Sequence, residues 1–338
     1  MKRLLTFILC ALTLFTCSFA FACGGDETNG DKKTLTFYAP DGAPALAIAK
    51  FIKDGENFDL PDALIDYQVV SANDIGGVMS RGDGDFIVMP VNAASKLYKA
   101  NPNSPYVMAA VITHGNLYLM SSDGTQSLDQ LKGKVVGVIG QGLVPDLTLR
   151  AILSDKGLLD DVVVGDTASA DKITLRYFPS APDMIPLLKQ GVISLGLLPE
   201  PAATNLTKVA NNRTWNRIDV QELYDSEAKA YPQAVLMVRK SLYSAYKTQI
   251  DNMSALFSQN VEWVKNNPAQ AVEAVKTKLK EGLTPSLVSA NVTTQVVDNC
   301  KIYFEDSASA KASVVAYINK IIAINNQSAK PVGEDFFA

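Results

Sequence analysis

The residues with chemistry to offer are few, and they sit where an apolar run gives way to a helical stretch. Asp41-Gly42 follows the run Thr34–Ala39, Asn92 follows Met89-Pro90, Gln141-Gly142 follows Lys134–Ile139, and Glu200 follows Leu198-Pro199. A chain turning from strand into helix leaves backbone N–H groups unpaired, and these can receive an anion or a carbonyl oxygen. At Asp41 the competing role is a plain helix cap, and Gln141-Gly142 carries the same two readings. Asp146, in the first turn that follows, complements the helix dipole whatever the function. Glu200 stands between two prolines; its carboxylate can pair with a cation or accept from an amino group, against the role of a solvated first-turn glutamate. Asn92 and Asn116 each donate and accept, which suits a neutral polar ligand. Tyr231 can stack on a flat ligand or pack at a chain crossing.

The same inventory argues against turnover. His114 is the only histidine, so there is no set of histidines from which to build a Ser–His–Asp triad and no His/Cys metal cluster is expected, and a structural role competes with ligand contact at that position. No nucleophile elbow, P-loop or spaced carboxylate pair is present. The expectation is therefore a binding protein, not an enzyme, with no cofactor and no metal. The candidate lining holds Asp41 and Glu200 but no Lys or Arg, which points to a ligand with donor groups, a neutral or cationic nitrogen heterocycle. A net charge of -4 in 338 residues, with no basic cluster, argues against nucleic acid as a partner.

These positions need a scaffold, and the chain provides one twice. Strands are expected over Thr34–Ala39, Leu64–Val70 and Asp85–Met89, separated by helices over Pro44–Lys53 and Asp74–Arg81 and followed by one over Asn92–Lys99. The pattern then recurs: strands over Lys134–Ile139, Ile173–Phe178 and Val192–Leu198, with helices over Pro145–Lys156, Asp183–Gln190 and Ala202–Ala210. Such alternation predicts mostly parallel sheets faced by helices. Asp74 and Asp183 each stand eight residues before Gly82 and Gly191, and those glycines eight before Pro90 and Pro199, which reads as an internal duplication. Two α/β lobes of this kind place a ligand beyond the carboxyl ends of their strands. Beyond Trp215 a strand is expected over Tyr231–Val238, then amphipathic helices, among them Ile250–Val264, Pro285–Asp298 and Ala310–Asn325.

The N-terminus has a separate purpose. Lys2 and Arg3 precede an uncharged stretch from Leu4 to Ala22, which reads as a cleaved export signal over 1–22, with a retained membrane anchor as the alternative. Ala20-Phe21-Ala22-Cys23-Gly24 resembles the lipobox of bacterial lipoproteins, which implies lipid attachment at Cys23. Residues 23–33 then form a polar tether. Cys300 is left alone in the body, so no internal disulfide is expected there, and it reads as a buried packing residue.

Several short segments together resemble the nitrate, sulfonate, taurine and thiamine-pyrimidine group of ABC-transporter substrate-binding proteins. They are Ala39-Pro40-Asp41-Gly42-Ala43-Pro44-Ala45-Leu46-Ala47, Met89-Pro90, Thr113-His114-Gly115-Asn116-Leu117-Tyr118, Leu131-Lys132-Gly133-Lys134-Val135-Val136, Pro199-Glu200-Pro201-Ala202 and Tyr231-Pro232-Gln233-Ala234. The resemblance implies a two-lobed type II periplasmic-binding fold: lobe 1 from 34–118 and the helical 235–338, lobe 2 from 119–234, with crossings near 117–122 and 231–238. It further implies an exported, lipid-anchored, monomeric protein that delivers a small molecule to an ABC importer permease, the ligand resembling the aminopyrimidine precursor of thiamine. A sulfonate, taurine or nitrate-type anion, a ligand-sensing receptor role, and an enzyme of the thiamine-pyrimidine synthase type are the alternatives, the last opposed by export.

Overall fold

In a computed structural model of the chain, the structure describes residues 32–208, 213–288 and 291–338. The expected signal, lipidation site Cys23 and most of the tether lie outside the described residues. Among the described residues twelve strands carry the fold: β1 (Lys33–Pro40), β2 (Ala63–Val70), β3 (Phe86–Pro90), β4 (Tyr106–Thr113), β5 (Leu117–Ser121), β6 (Lys134–Ile139), β7 (Val162–Val164), β8 (Ile173–Phe178), β9 (Leu195–Pro199), β10 (Asn216–Asp219), β11 (Ala234–Arg239) and β12 (Ile302–Asp306).

They form two six-stranded sheets, ordered β12-β4-β11-β3-β1-β2 and β10-β5-β9-β6-β8-β7. In each, three consecutive parallel strands take the same arrangement: β2-β1-β3 in the first, β8-β6-β9 in the second. Helical connections between parallel partners enforce it, because a tight hairpin joins only antiparallel neighbours. Each third strand then meets an antiparallel neighbour, β11 on β3 and β5 on β9. The duplicated sequence signals fall in equivalent places: Gly82 and Gly191 both end helices in the left-handed region, at φ 73° and 76°, where a side chain is disfavoured. Pro90 and Pro199 are the last residues of β3 and β9.

The first crossing between sheets uses only residues 114–116, between β4 and β5; the return uses 225–233, ahead of β11. The two passes are tied together: Tyr231 N–H donates to the His114 carbonyl at 3.3 Å and Gln233 N–H to the Thr113 carbonyl at 2.9 Å. Gly115 has φ 85°, and a Cβ there would lie 2.6 Å from Tyr231 Cε1 and 2.8 Å from Gln221 Cγ. Only glycine fits between the passes.

Two helix expectations are corrected. The helix over Pro44–Lys53 is two short pieces, Ala43–Leu46 and Ala49–Asp54. The helix over Pro285–Asp298 shrinks to Thr294–Asn299, begun by Thr293, whose hydroxyl accepts from Val296 N–H at 3.4 Å. Upstream, Ser286 N–H is drawn instead to Asp41 Oδ2 at 2.6 Å. The strand β4 went unforeseen: all eight of its residues are buried, so it shows no alternation to reveal a strand.

Apolar side chains gather into three clusters. The first, with Phe37, Phe51, Phe86 and Phe257, draws only on the β1–β3 sheet and its helices. The third, with Met120, Met184, Leu188 and Leu206, draws only on the β5–β9 sheet. The second runs through both, from Met89, Tyr98 and Met237 on one side to Leu119, Val136 and Leu147 on the other, joined by Val314, Tyr317 and Ile321 of the helix Ser307–Ile324.

Candidate functional site

Strand C-termini from both sheets converge. β1 and β3 deliver Asp41-Gly42 and Asn92; β6 and β9 deliver Gln141-Gly142 and Glu200. Two segments link the opposing ends. On one flank, Ser328 lies between them: its carbonyl accepts from Asn92 Nδ2 at 3.1 Å, and its hydroxyl lies 3.8 Å from where a Gly142 Cβ would stand. On the other, Asn299 Nδ2 donates to Glu200 Oε1 at 3.2 Å.

The carboxylates are not free. Asp41 accepts from its neighbour Gly42 N–H at 2.8 Å through Oδ1 and from Ser286 N–H through Oδ2. Its side chain does not cap the following helix, whose N-cap is Gly42 at φ 103°. It pins the 280s segment over the end of β1. Glu200 is 1 % exposed. Its Oε1 accepts from Arg217 Nη2 at 2.6 Å and Thr204 Oγ1 at 2.8 Å, and its Oε2 from Thr204 N–H at 3.1 Å. A buried carboxylate needs such partners. Arg217, on β10, was missed from sequence; nothing in the spacing announces it, because β10 reaches Glu200 through β5 and tertiary pairing. The expectation of a carboxylate-lined, cation-free cleft is therefore corrected, and the charge argument for a cationic ligand goes with it.

Asn116 is spent at the crossing, donating to the Glu200 carbonyl at 3.3 Å and accepting from Gln233 Nε2 at 2.9 Å. His114 is buried there too. Its ring stacks on Tyr303 at 3.4 Å between centroids, and Nε2 meets Glu305 Oε2 at 3.1 Å. Burial pushes its pKa down to about 3, so the ring is neutral at pH 7. The nearby Glu305 carboxyl is raised, chiefly by its own desolvation. Tyr231 is 2 % exposed and packs against Tyr224 and Tyr317, the latter ring nearly parallel at 5.5 Å. It takes the packing role rather than the ligand-stacking one.

What remains for a ligand is neutral. Asn92 Oδ1 and Ser286 Oγ are buried polar atoms without a partner, at the ends of β3 and β1. The amide of Asn92 cannot be turned over to relieve this, because its oxygen would then face the Ser328 carbonyl. Gln141 is exposed. With Gly142 it lines a cavity of about 450 Å³ shared with Asp146, Leu147, Arg150, Ile324 and Asn325. Gly142 N–H donates to Asp146 Oδ2 at 2.8 Å, and Asp146 Oδ1 holds Arg150 Nε and Tyr177 OH, both at 2.7 Å. Among the described residues no group of His, Cys, Asp and Glu is placed to hold a metal ion, and no helix is long and apolar enough to cross a membrane. Cys300 is buried, its thiol pushed well up by desolvation.

No family model matches the chain, and no curated protein sequence matches it. Solved structures do. An ABC transporter protein from Parabacteroides distasonis superposes with a TM-score of 0.70 at 17 % identity, over 90 % of this chain and 98 % of that one. The periplasmic aliphatic sulphonate binding protein of Escherichia coli gives 0.63 at 12 % identity, over 90 % of each chain. The ligand binding component of an ABC-type import system from Staphylococcus aureus, with zinc bound, gives 0.57 at 12 %, over 88 % of this chain and 97 % of that one. At such identities the likeness is one of fold, and with two α/β sheets joined by two crossings the chain has the two-lobed architecture of periplasmic binding proteins.

Proposed function

We propose that the chain is an extracytoplasmic solute-binding protein that passes a small molecule to the permease of an ABC importer, working as a monomer held at the membrane by lipid on Cys23. In this reading one lobe is built from residues 34–118 and 235–338 and the other from 119–234, with Leu117 and Tyr118 entering the second sheet at the crossing. The observation that carries it is that Asn92 Oδ1 and Ser286 Oγ, two of the seven buried side-chain atoms without a partner among the described residues, stand beside the ends of β3 and β1. Leaving such atoms unpaired is unfavourable, and a bound solute relieves it. Asn92 Oδ1 is an acceptor only, so the solute presents a donor to it. With Glu200 paired to Arg217 and both Asp41 oxygens taken by backbone N–H groups, a neutral polar molecule is favoured over a cation, and a nitrogen heterocycle of the aminopyrimidine kind fits that demand. Asp41 and Gly42 shape one wall, and Gln141 and Gly142 the other.

The test is thermal unfolding of the chain from residue 24 onward with pyrimidines, other heterocycles, sulfonates, nitrate, amino acids and polyamines. A ligand at about a thousand times its dissociation constant adds roughly 4 kcal/mol of stability. A shift with a neutral heterocycle, lost in Asn92→Ala, supports the reading. A shift with sulfonates or nitrate alone overturns the solute class and keeps the capture role. No shift with any class, together with no small molecule in the mass spectrum of the purified protein, overturns capture.

A further inference from the structure

A second arginine besides Arg217 reaches the strand ends. Arg150, on the helix Val144–Asp155 that follows Gln141-Gly142, lines the cavity of about 450 Å³ beside them. Its side chain is 20 % exposed, and that of Asp146, four residues earlier, 4 %. An ion pair at this spacing on an open helix face is mobile and worth little. Here a third group fixes it. Asp146 Oδ1 accepts from Arg150 Nε, the Tyr177 hydroxyl on β8 accepts from Arg150 Nη2 at 2.9 Å, and the same hydroxyl donates to Asp146 Oδ1. Nε and Nη2 make up the side edge of the planar guanidinium, and that edge is occupied. Among the described residues Nη1 makes no hydrogen bond, so the end edge, Nη1 with the second N–H of Nη2, is unspent.

We propose that the end edge of Arg150 is a specificity-determining contact for the captured solute, and that it takes two adjacent acceptor atoms: the two oxygens of an acidic group, or a carbonyl oxygen beside a ring nitrogen. The two N–H bonds of that edge run parallel and close together, and they match acceptors joined through one shared atom. A lone hydroxyl or ether fills half of the edge, and an ammonium group meets a like charge. Asp146 does not repel such a guest, because its own charge is already met. Gly142 N–H, Tyr177 OH and Arg150 Nε all donate to it, and it lies in the first turn of its helix, where the dipole favours a carboxylate. With Asp146 and Arg150 cancelling, the rest of the lining is uncharged: Gln141, Gly142 and Asn325 are polar, Leu147 and Ile324 apolar. The polar groups suit the edge of a small flat molecule and the apolar pair its face. Held in place beforehand, the guanidinium loses little freedom on binding. Gln141 and Gly142 are the wall that solute capture already uses, so this contact rests on that reading and adds which atoms of the solute face the wall.

Saturation-transfer NMR at millimolar probe concentration tests this on the chain from residue 24 onward. Benzoate carries the acidic pair on a flat ring; cytosine carries a carbonyl beside a ring nitrogen. At least one of them binds, and which one identifies the source of the acceptor pair. Arg150→Lys keeps the charge, loses the planar edge and weakens that probe about tenfold or more, the discrimination that one bidentate contact supplies. A comparison on the unaltered protein serves where the lysine variant folds poorly: benzyl alcohol, with one oxygen, binds at least about tenfold more weakly than benzoate, or 4-aminopyrimidine, without the carbonyl, more weakly than cytosine. No binding of either probe, binding that Arg150→Lys leaves unchanged, or a truncated probe that binds as tightly as its parent overturns the contact. A thermal shift in the solute panel that Arg150→Lys keeps in full overturns it too and leaves capture standing. The absence of any shift or co-purified molecule overturns capture, whatever the two probes do.

Discussion

Arg217 serves Glu200 and Tyr118 at once: one nitrogen donates to the carboxylate at 2.6 Å while the guanidinium carbon lies 3.4 Å from the Tyr118 ring centroid. Stacking fixes the plane of the guanidinium, and the planar fork then reaches the carboxylate without further ordering. Removing the cation alone strands a carboxylate whose side chain is 0 % exposed. Arg217→Met is therefore expected to cost about 3 kcal/mol, as for breaking one half of a buried pair. Urea denaturation checks it. The double variant Arg217→Met, Glu200→Gln recovers part of that loss, because no unpaired charge remains; equal losses in single and double variants would remove the ion pair from the account.

Gly115 is expected to tolerate no substitution. Alanine there adds a Cβ 2.6 Å from Tyr231 Cε1 at φ 85°. Overpacking and the left-handed backbone together are expected to cost about 2–4 kcal/mol. Gly55, also at positive φ but with open space around it, serves as the control, and Gly55→Ala is expected to cost only about 1 kcal/mol. Equal melting points for the two variants would mean that the crossings are not clamped together at Gly115.

His114 gives an acid limb to stability. Its folded pKa is about 3 against the ordinary 6.5, so between those values the unfolded chain binds the proton and the folded chain does not. Stability contributed by the neutral ring is full above pH 6.5 and is lost as pH falls toward 3, at a slope approaching about 1.4 kcal/mol per pH unit. Glu305 works against this. Its folded pKa is raised above 4.5, so it adds stability as pH falls through its own range and flattens the lower part of the limb. His114→Gln is expected to flatten the limb between pH 6 and 5, read from urea midpoints, while the wild-type midpoint falls across it.

The sequence carried the scaffold better than the site. Helix stops at Gly82 and Gly191 and strand ends at Pro90 and Pro199 are local signals, set by backbone preference within a few residues, and the structure has them where the periodicity places them. The wiring of charges is not local. Asp41 meets Ser286 across 245 positions and Glu200 meets Asn299 across 99, so nothing near Glu200 discloses that its charge is already spent. Arg217 lies only 17 positions from Glu200, yet it reaches the carboxylate by way of β10 pairing on β5, a strand from much earlier in the chain. Tyr231 was ambiguous for a related reason: an aromatic beside a crossing reads the same from sequence whether it faces a ligand or, as here, Tyr317.

The shared core makes a prediction about cooperativity. Two lobes with separate cores can unfold separately, and the two tryptophans report on them individually, Trp215 beside the cluster of the second lobe and Trp263 beside that of the first. Because Val314, Tyr317 and Ile321 belong to one cluster with residues of both sheets, each lobe loses part of its core when the other is lost. Single-tryptophan variants, Trp215→Phe and Trp263→Phe, are thus expected to show superimposable urea transitions. Ile321 is fully buried in that seam, and Ile321→Ala is expected to cost about 2–5 kcal/mol, moving both midpoints together. A shift confined to the Trp263 signal would mean that the helix Ser307–Ile324 stabilises only its own lobe.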